Sequence, residues 1–326
     1  MNNTTKFGWG IIGTGGIANA FARDIEYLDG HRISSVLSRS MVTANDFAST
    51  FNNCNGYEDM GSFLKDKNLD AVYIATPNTF HAKQTIRALE AKKPVLCEKP
   101  FAMNLDEVKS MVKTSAINNT TLLEGMWTRY LPHINEIRQV LKDGTIGQVE
   151  SIFACHGQNL RHSDNPRLWT KELGGGALLD LGVYVISFAH LILGTPKHIL
   201  ATSTFTDMNV DAKTSMIFKY DNHAIANLSC SMYDTQPNRA IISGEKGVIE
   251  IDPTFYAPTT MSIKMNNGET IRIENNYEGH GLREQAKELE RCVKNNLIES
   301  PQMRHEDSLA VMNTIDKVKA LIGLNF

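Results

Sequence analysis

The chain lacks long apolar runs, a disulfide pattern and an excess of either charge, and each absence removes a class of function. No apolar run in it approaches the ~20 residues that a membrane-spanning helix needs, so no membrane partner is expected. Its cysteines, Cys54, Cys97, Cys155, Cys230 and Cys292, stand singly without C-x-x-C spacing. That reads as reduced thiols of a cytoplasmic protein, not a disulfide frame. A formal net charge of -3 leaves no basic field for nucleic acid or an acidic membrane. The opening residues, Met1-Asn2-Asn3-Thr4-Thr5-Lys6, contain no apolar segment of the signal-peptide kind. The histidines show no metal-ligand spacing and no nucleophile motif appears, so neither a metal nor a serine or cysteine nucleophile is expected.

What is there is length and core. The 326 residues are 42% hydrophobic, enough for two domains that need no staples. Strand and helix patterns alternate through the first part, the mark of a parallel α/β sheet. Strands are predicted at 7–12, 33–37, 71–75, 94–97 and 121–126, with helices at 17–28 and from Asn78 or Thr79 to 91. Asn104 is placed to cap a further helix, with Glu107 at its third position. After Gly147 the rhythm changes: 148–159 and 197–274 have strand composition, punctuated by Asp221-Asn222, Gly244-Glu245-Lys246-Gly247 and Asn266-Asn267-Gly268. These imply a mostly antiparallel sheet. An apolar helix over 177–193 interrupts it, and helix returns from Leu282 with a break at Ser300-Pro301. The expected fold is α/β: an N-terminal Rossmann doubly wound parallel sheet and a C-terminal α/β domain with an open, mostly antiparallel sheet.

The run Gly13-Thr14-Gly15-Gly16-Ile17-Ala18 follows a predicted strand and opens a predicted helix, the context that a G-x-G-x-x-G/A fingerprint requires. Gly13 permits the tight turn, Gly15 lets the backbone approach a pyrophosphate, and Ala18 allows close helix–strand packing. Phosphates then sit at the helix N-terminus, where free N–H groups and the dipole favour negative charge. A NAD site usually places an acid at the end of the second strand, about 20 residues beyond the glycines. The chain has Leu37-Ser38-Arg39-Ser40 there, without an acid. Ser38 and Ser40 can hydrogen-bond a 2′-phosphate, and Arg39 can pair with it or stack on the adenine. NADP is therefore the expected cofactor, with NAD as the alternative and Arg39 as a solvated surface residue the competing view.

Three polar features remain. Glu98 and Lys99 end a buried strand, at the carboxyl edge where open α/β sheets bind ligands, and Pro100 fixes the local backbone. Thr76, Pro77, Asn78 and His81 mark the neighbouring strand end and should line a cofactor cleft, His81 being equally readable as a first-turn helix residue. In Gly174-Gly175-Gly176-Ala177-Leu178-Leu179-Asp180-Leu181-Gly182-Val183-Tyr184, Asp180 and Tyr184 are four apart and share one helix face. The rest of that helix is apolar nearly all round, so a carboxylate and a phenol within it need partners or a function. A phenol near a lysine can donate a proton to a carbonyl being reduced; a structural Asp–Tyr hydrogen bond is the plainer alternative. His190 faces elsewhere and reads as structural.

The fingerprint, Thr76-Pro77-Asn78, Glu98-Lys99-Pro100 and the 174–184 helix together resemble the glucose–fructose oxidoreductase/inositol dehydrogenase (Gfo/Idh/MocA) family, in order over essentially the whole chain. Most of that family has His four residues after the Asp. Tyr184 stands there instead, as in the dihydrodiol dehydrogenase branch, which Glu124-Gly125-Met126-Trp127-Thr128-Arg129 and Asn159-Leu160 also resemble. The resemblance implies a Rossmann domain over 1–126 and a substrate and oligomerisation domain over 127–326, with the C-terminal helix able to pack back on the first. It implies Lys99 and Tyr184 at the reacting carbon with Asp180 assisting, and Trp127, Arg167 and Trp169 near the substrate. It further implies a homodimer or higher homo-oligomer through the exposed face of the C-terminal sheet. The expected activity is hydride transfer between nicotinamide C4 and a secondary alcohol or carbonyl of a small molecule: a sugar, polyol or trans-dihydrodiol. His162, Asp164 and Arg167 make the substrate loop more polar than a pocket for aromatic diols calls for. The alternatives are an enzyme that keeps its nicotinamide bound for hydrolysis or epimerisation, and a non-catalytic dinucleotide sensor.

Overall fold

The computed structural model describes residues 6–326; residues 1–5, on which the reading of an opening without a signal segment rests, lie outside the described residues. The chain forms two units: one runs through Trp127 and takes in Gly279–Ser308, the other comprises Thr128–Glu278 and Leu309–Phe326.

The first unit alternates β1 (Phe7–Ile12), α1 (Gly16–Ile25), β2 (His31–Leu37), α2 (Met41–Ala48), β3 (Asn55–Tyr57), α3 (Met60–Leu64), β4 (Ala71–Ile74), α4 (His81–Glu90), β5 (Val95–Glu98), α5 (Leu105–Asn118) and β6 (Leu122–Gly125). The strands are parallel in the order β3-β2-β1-β4-β5-β6. This is the doubly wound arrangement, with β4 and β5 buried end to end because helices cover both faces. Strand order reverses between β1 and β4, and the crevice at a sheet's carboxyl edge opens at such a switch. In the core Phe21 stacks on Tyr73 with ring centroids 3.8 Å apart, and Trp9 meets Phe21 edge-on.

The helix Leu282–Lys294 joins this unit through polar anchors. Asp24 of α1 accepts the His280 and Arg283 N–H groups at 3.0 and 2.8 Å. The Trp9 indole N–H donates to His31 Nδ1, so His31 Nε2 carries the proton and donates to Glu290 at 3.2 Å.

Two predicted helix starts behave differently. Asn104 caps α5 as expected, accepting the Glu107 N–H at 2.9 Å, but the Glu107 carboxylate reaches past the cap to the Met103 N–H. Neither Asn78 nor Thr79 caps α4. Asn78–Phe80 forms a 3₁₀ turn, Phe80 holds the cap position with no side-chain bond, and Asn78 is buried.

The second unit contains α6 (Pro132–Lys142), β7 (Val149–Gly157), α7 (Pro166–Trp169), a π-helical turn Leu178–Gly182 leading into α8 (Val183–Leu193), then β8 (His198–Phe205), β9 (Asp211–Lys219), β10 (Ile225–Ser231), β11 (Ala240–Gly244), β12 (Gly247–Ile251), β13 (Met261–Met265) and β14 (Thr270–Ile273). The sheet order is β14-β13-β12-β11-β7-β10-β9-β8, antiparallel except for the β7–β10 pair. The three turn signals fall between β9 and β10, β11 and β12, and β13 and β14. The single α-helix expected over 177–193 needs correction: its first turn is π-helical, and Gly182 leaves room there, since a Cβ on it would meet Cys230 Sγ at 3.0 Å. The stretch Lys171–Leu193 is also long and apolar enough to cross a bilayer, contrary to the sequence expectation, but it is mostly buried inside the protein as a core helix.

Candidate active-site residues

The cofactor candidates in the first unit cluster at the carboxyl ends of strands and in the turns that follow them. After β1, Gly13 has φ +102°, and a Cβ on it would lie 2.7 Å from the Ala75 carbonyl oxygen, so the turn tolerates no side chain. Thr14 follows it, half-buried. At Gly15 and Gly16 a Cβ would meet no described residue within 4 Å. Gly15 caps α1 without a side-chain bond, and Ile17 is exposed on the first turn. A bare, open helix N-terminus fits the pyrophosphate of a nicotinamide dinucleotide, so the residues match the group that the fingerprint implies.

After β2, Arg39 is exposed and the two flanking serines are partly committed. Ser40 Oγ accepts the Thr43 N–H at 3.3 Å as the cap of α2, and the Ser38 and Thr43 hydroxyls lie 2.7 Å apart. Thr43 thus joins the serines in a hydroxyl cluster at a helix start, a neighbour the sequence reading missed because α2 was not foreseen.

The ends of β4 and β5 are tied together. Pro77 leads into the 3₁₀ turn, and the Thr76 hydroxyl donates to Gln84 Oε1 at 2.6 Å. His81 is fully buried, with Nε2 2.9 Å from the Thr76 carbonyl and Nδ1 2.9 Å from the Pro100 carbonyl. It is a first-turn residue of α4 that bridges two loops. Glu98 is likewise buried, accepting the Tyr73 hydroxyl at 2.5 Å and the Lys99 backbone N–H at 3.2 Å. It fixes the backbone from which Lys99 projects. The Lys99–Pro100 peptide bond is cis. Trp127 starts the turn two residues after β6 and is buried.

In the second unit Asp180 lies on the π-turn and Tyr184 opens α8. Both are nearly buried. Asp180 Oδ1 is 3.2 Å from Arg167 Nη1, so Arg167 is an ion-pair partner of the candidate acid. Tyr184 packs edge-on against His156 at 5.1 Å and tilted against Tyr256 at 5.1 Å, and His156 stacks on Tyr256 at 3.9 Å. The Gln158 amide donates to His156 Nε2 at 3.1 Å, which leaves the His156 proton on Nδ1. The sequence carried a signal for His156: residues 152, 154 and 156 share the inward face of β7, and a polar residue at such a position asks for a reason. Tyr256 had none. Trp169 staples its own loop. Its indole N–H donates to the Ser163 carbonyl at 2.9 Å, and its ring packs on a cluster that includes Leu168, Leu181 and Met232. His190 is structural as read, bonded to the Thr314 hydroxyl at 2.9 Å; burial pushes its pKa down to about 3.

A doubly wound sheet with an open glycine turn at its switch point, and a lysine beyond a neighbouring strand, define the class of nicotinamide-dinucleotide oxidoreductases. The chain belongs to the Gfo/Idh/MocA family: residues 7–126 match its oxidoreductase, NAD-binding Rossmann domain, and residues 134–250 match its C-terminal domain. The chain is 32% identical over 328 residues to trans-1,2-dihydrobenzene-1,2-diol dehydrogenase of Danio rerio, covering 97% of each, and 31% identical to that of Mus musculus, covering 98% and 97%. Among solved structures, an aldose-aldose oxidoreductase from Caulobacter crescentus complexed with glycerol superposes with a TM-score of 0.87 at 24% identity, over 97% of each chain. A 3-ketoreductase from Actinomadura kijaniata, complexed with NADP and TDP-benzene, does so with a TM-score of 0.86 at 24% identity, over 98% of each. The protein is an NAD(P)-dependent oxidoreductase acting on CH–OH groups.

Proposed function

We propose that the protein is an NADP-dependent dehydrogenase or reductase that interconverts a secondary alcohol and a carbonyl on a sugar, polyol or trans-dihydrodiol. The observation that carries this reading is Tyr184, a phenol on a largely apolar helix, set in an aromatic bed of His156 and Tyr256 four residues beyond an acid paired with Arg167. When bound, the dinucleotide supplies the hydride acceptor or donor at nicotinamide C4. The chain's own residues do the rest. Gly13, Thr14, Gly15, Gly16 and Ile17 receive the pyrophosphate. Arg39, with Ser38 and Ser40, favours a 2′-phosphate by charge. Thr76, Pro77, Asn78, His81 and Glu98 shape the loops beside it. Tyr184 takes or gives the hydroxyl proton as general acid or base, with Lys99 and Asp180 assisting. Trp127, Arg167 and Trp169 are the substrate-binding residues. The names of the full-length relatives support a trans-dihydrodiol; the polar 161–169 loop supports a sugar or polyol.

The reading includes a homodimer built on the second sheet. Leu200, Ile217, Asn227 and Phe153 form one cross-strand row, and the first two and Phe153 are exposed. They line a shallow, largely apolar depression of about 380 Å³, a face that a second copy would cover. The unpaired cysteines underlie a cytoplasmic location.

The test is absorbance at the NADPH band against trans-1,2-dihydrobenzene-1,2-diol, aldoses and polyols, with Tyr184→Phe in parallel. Turnover with NADP is expected, and the variant should lose roughly 10²–10⁴-fold in kcat at unchanged NADPH affinity. No turnover across the panel, or a Tyr184→Phe variant with normal kcat, refutes the reading.

A further inference from the structure

The segment that carries Asp180 and Tyr184 begins on a π-turn, Leu178–Gly182, whose cap residue Ala177 offers no side-chain acceptor. The first N–H groups of a helix need acceptors from elsewhere, and a distant residue supplies one. Asp211, the first residue of β9, is fully buried, and its Oδ2 accepts the Leu178 N–H at 2.8 Å and the Thr214 hydroxyl at 2.8 Å. Asp211 Oδ1 is also buried, without a hydrogen-bond partner among the described residues. It faces Gly176, where φ is +114° and a Cβ would come within 2.3 Å of it. Any side chain at residue 176 would therefore displace the carboxylate.

A buried carboxylate with one oxygen unsatisfied is a poor device for stability. An unpaired polar atom in the core carries its full desolvation penalty, and an apolar group of similar shape avoids it. Burial pushes the Asp211 pKa up to about 6, which expresses the same cost. What the carboxylate gains is geometric. It grips the chain two residues before Asp180 and six before Tyr184, at the point where the helical hydrogen bonding is irregular.

We infer that Asp211 is a positioning residue for the reaction: by holding the Leu178 N–H it sets where the π-turn starts, and with it the rotation at which Asp180 and Tyr184 are presented. The inference rests on the function proposed above. A misplacement of about 1 Å in a reacting geometry costs on the order of 10²-fold, so Asp211→Ala should lower kcat by roughly 10–10²-fold. NADPH affinity, which belongs to the other unit, should stay unchanged. Asp211→Asn keeps an acceptor for the Leu178 N–H and should recover most of the rate.

The experiment measures kcat and KM well below the melting temperature, on the panel member that the wild type turns over best, with circular dichroism melts to count molecules whose second unit is folded and NADPH titrations for cofactor affinity. A merely structural role would lower the melting temperature and the count of folded sites but leave kcat per site intact. Asp211→Ala with kcat within twofold of wild type overturns the inference, as does equal impairment of Asp211→Ala and Asp211→Asn. If Asp211→Ala does not fold, Thr214→Val carries the test. It removes one of the two donors holding the carboxylate, and a severalfold fall in kcat at constant NADPH affinity is expected; an unchanged kcat overturns the inference. Tyr184→Phe, assayed alongside, separates the two claims. An active Tyr184→Phe brings down both, whereas an impaired Tyr184→Phe beside an unimpaired Asp211→Ala brings down this one alone.

Discussion

Acid should destabilise the second unit by an amount that three buried groups set. His133 donates Nε2–H to the Phe255 carbonyl at 3.1 Å, and burial pushes its pKa down to about 4. His190 sits beside the Thr314 hydroxyl, with burial and then the Arg129 guanidinium pushing its pKa down to about 3. At pH 7.5, a full unit above the ordinary 6.5, both rings are essentially neutral folded or unfolded and contribute almost no pH dependence. As pH falls below 6.5 the unfolded chain takes up protons that the folded state refuses, and stability is lost progressively toward pH 4 and pH 3. At pH 5 each ring costs about 2 kcal/mol, taking about 1.4 kcal/mol per pK unit. Asp211 acts in the opposite sense. Its folded pKa of about 6 lies above the ordinary 3.8, so between those values the folded state holds a proton that the unfolded state releases, and stability rises as pH falls. That offsets about 1.4 kcal/mol at pH 5. The histidines win, and the net loss from pH 7.5 to pH 5 is about 3 kcal/mol, a large share of the ~5–15 kcal/mol of a typical domain. The assay is urea unfolding followed by far-UV circular dichroism, which reads both units, at the two pH values, for wild type and His190→Gln, whose amide can still bond Thr314. The variant should lose about 2 kcal/mol less than the wild type. Equal losses in the two proteins would refute the reasoning.

Three further outcomes are expected. Arg39→Asp should exchange a 2′-phosphate partner for a repelling charge and reverse or erase a preference for NADP; equal or better kcat/KM with NAD in the unmodified protein would contradict the assignment of Arg39. Lys99→Met should reduce kcat and also weaken NADPH binding, and its effect should not add to that of Tyr184→Phe if the lysine acts through the phenol, which a double-mutant cycle reads directly. Ile217→Glu paired with Leu200→Glu should shift light scattering from dimer to monomer at micromolar concentration, and a wild-type protein that is already monomeric would remove the dimer from the reading.

The first unit was legible because its strands are continuous apolar runs punctuated by glycine and proline, and parallel strands buried on both faces leave that trace. The segments Met41–Ala48, Asn55–Tyr57 and Met60–Leu64 left none, being 8, 3 and 5 residues long and too short for a period to register. In the second unit the turns were readable from their residues, but strand order was not, because nothing local says that β7 pairs with β10 in parallel. Among the candidate residues, those defined by a local motif, from Gly13 to Ala18 and at Lys99, stand where the motif put them. Arg167, Trp169 and His81 did not reveal their partners, since an ion pair with Asp180, a bond to the Ser163 carbonyl and a bridge between two strand ends depend on where distant backbone comes to rest. Asp211 was invisible for the same reason: it holds a helix start that precedes it by 33 residues.

The grip of Asp24 on His280 and Arg283 has a consequence for how the chain is made. The first unit contains residues from both sides of the segment Thr128–Glu278. At roughly 5–20 residues per second of synthesis, the helix Leu282–Lys294 emerges on the order of 10–30 s after Trp127. Throughout that interval the nascent Rossmann sheet exists without its last helix, Asp24 has neither of the N–H donors it will later bind, and His31 lacks the Glu290 carboxylate. Truncation at Trp127 would freeze the chain in that condition, which marks the isolated N-terminal fragment as a poor stand-in for the nucleotide-binding half of the enzyme and makes the early sheet a natural client for chaperones.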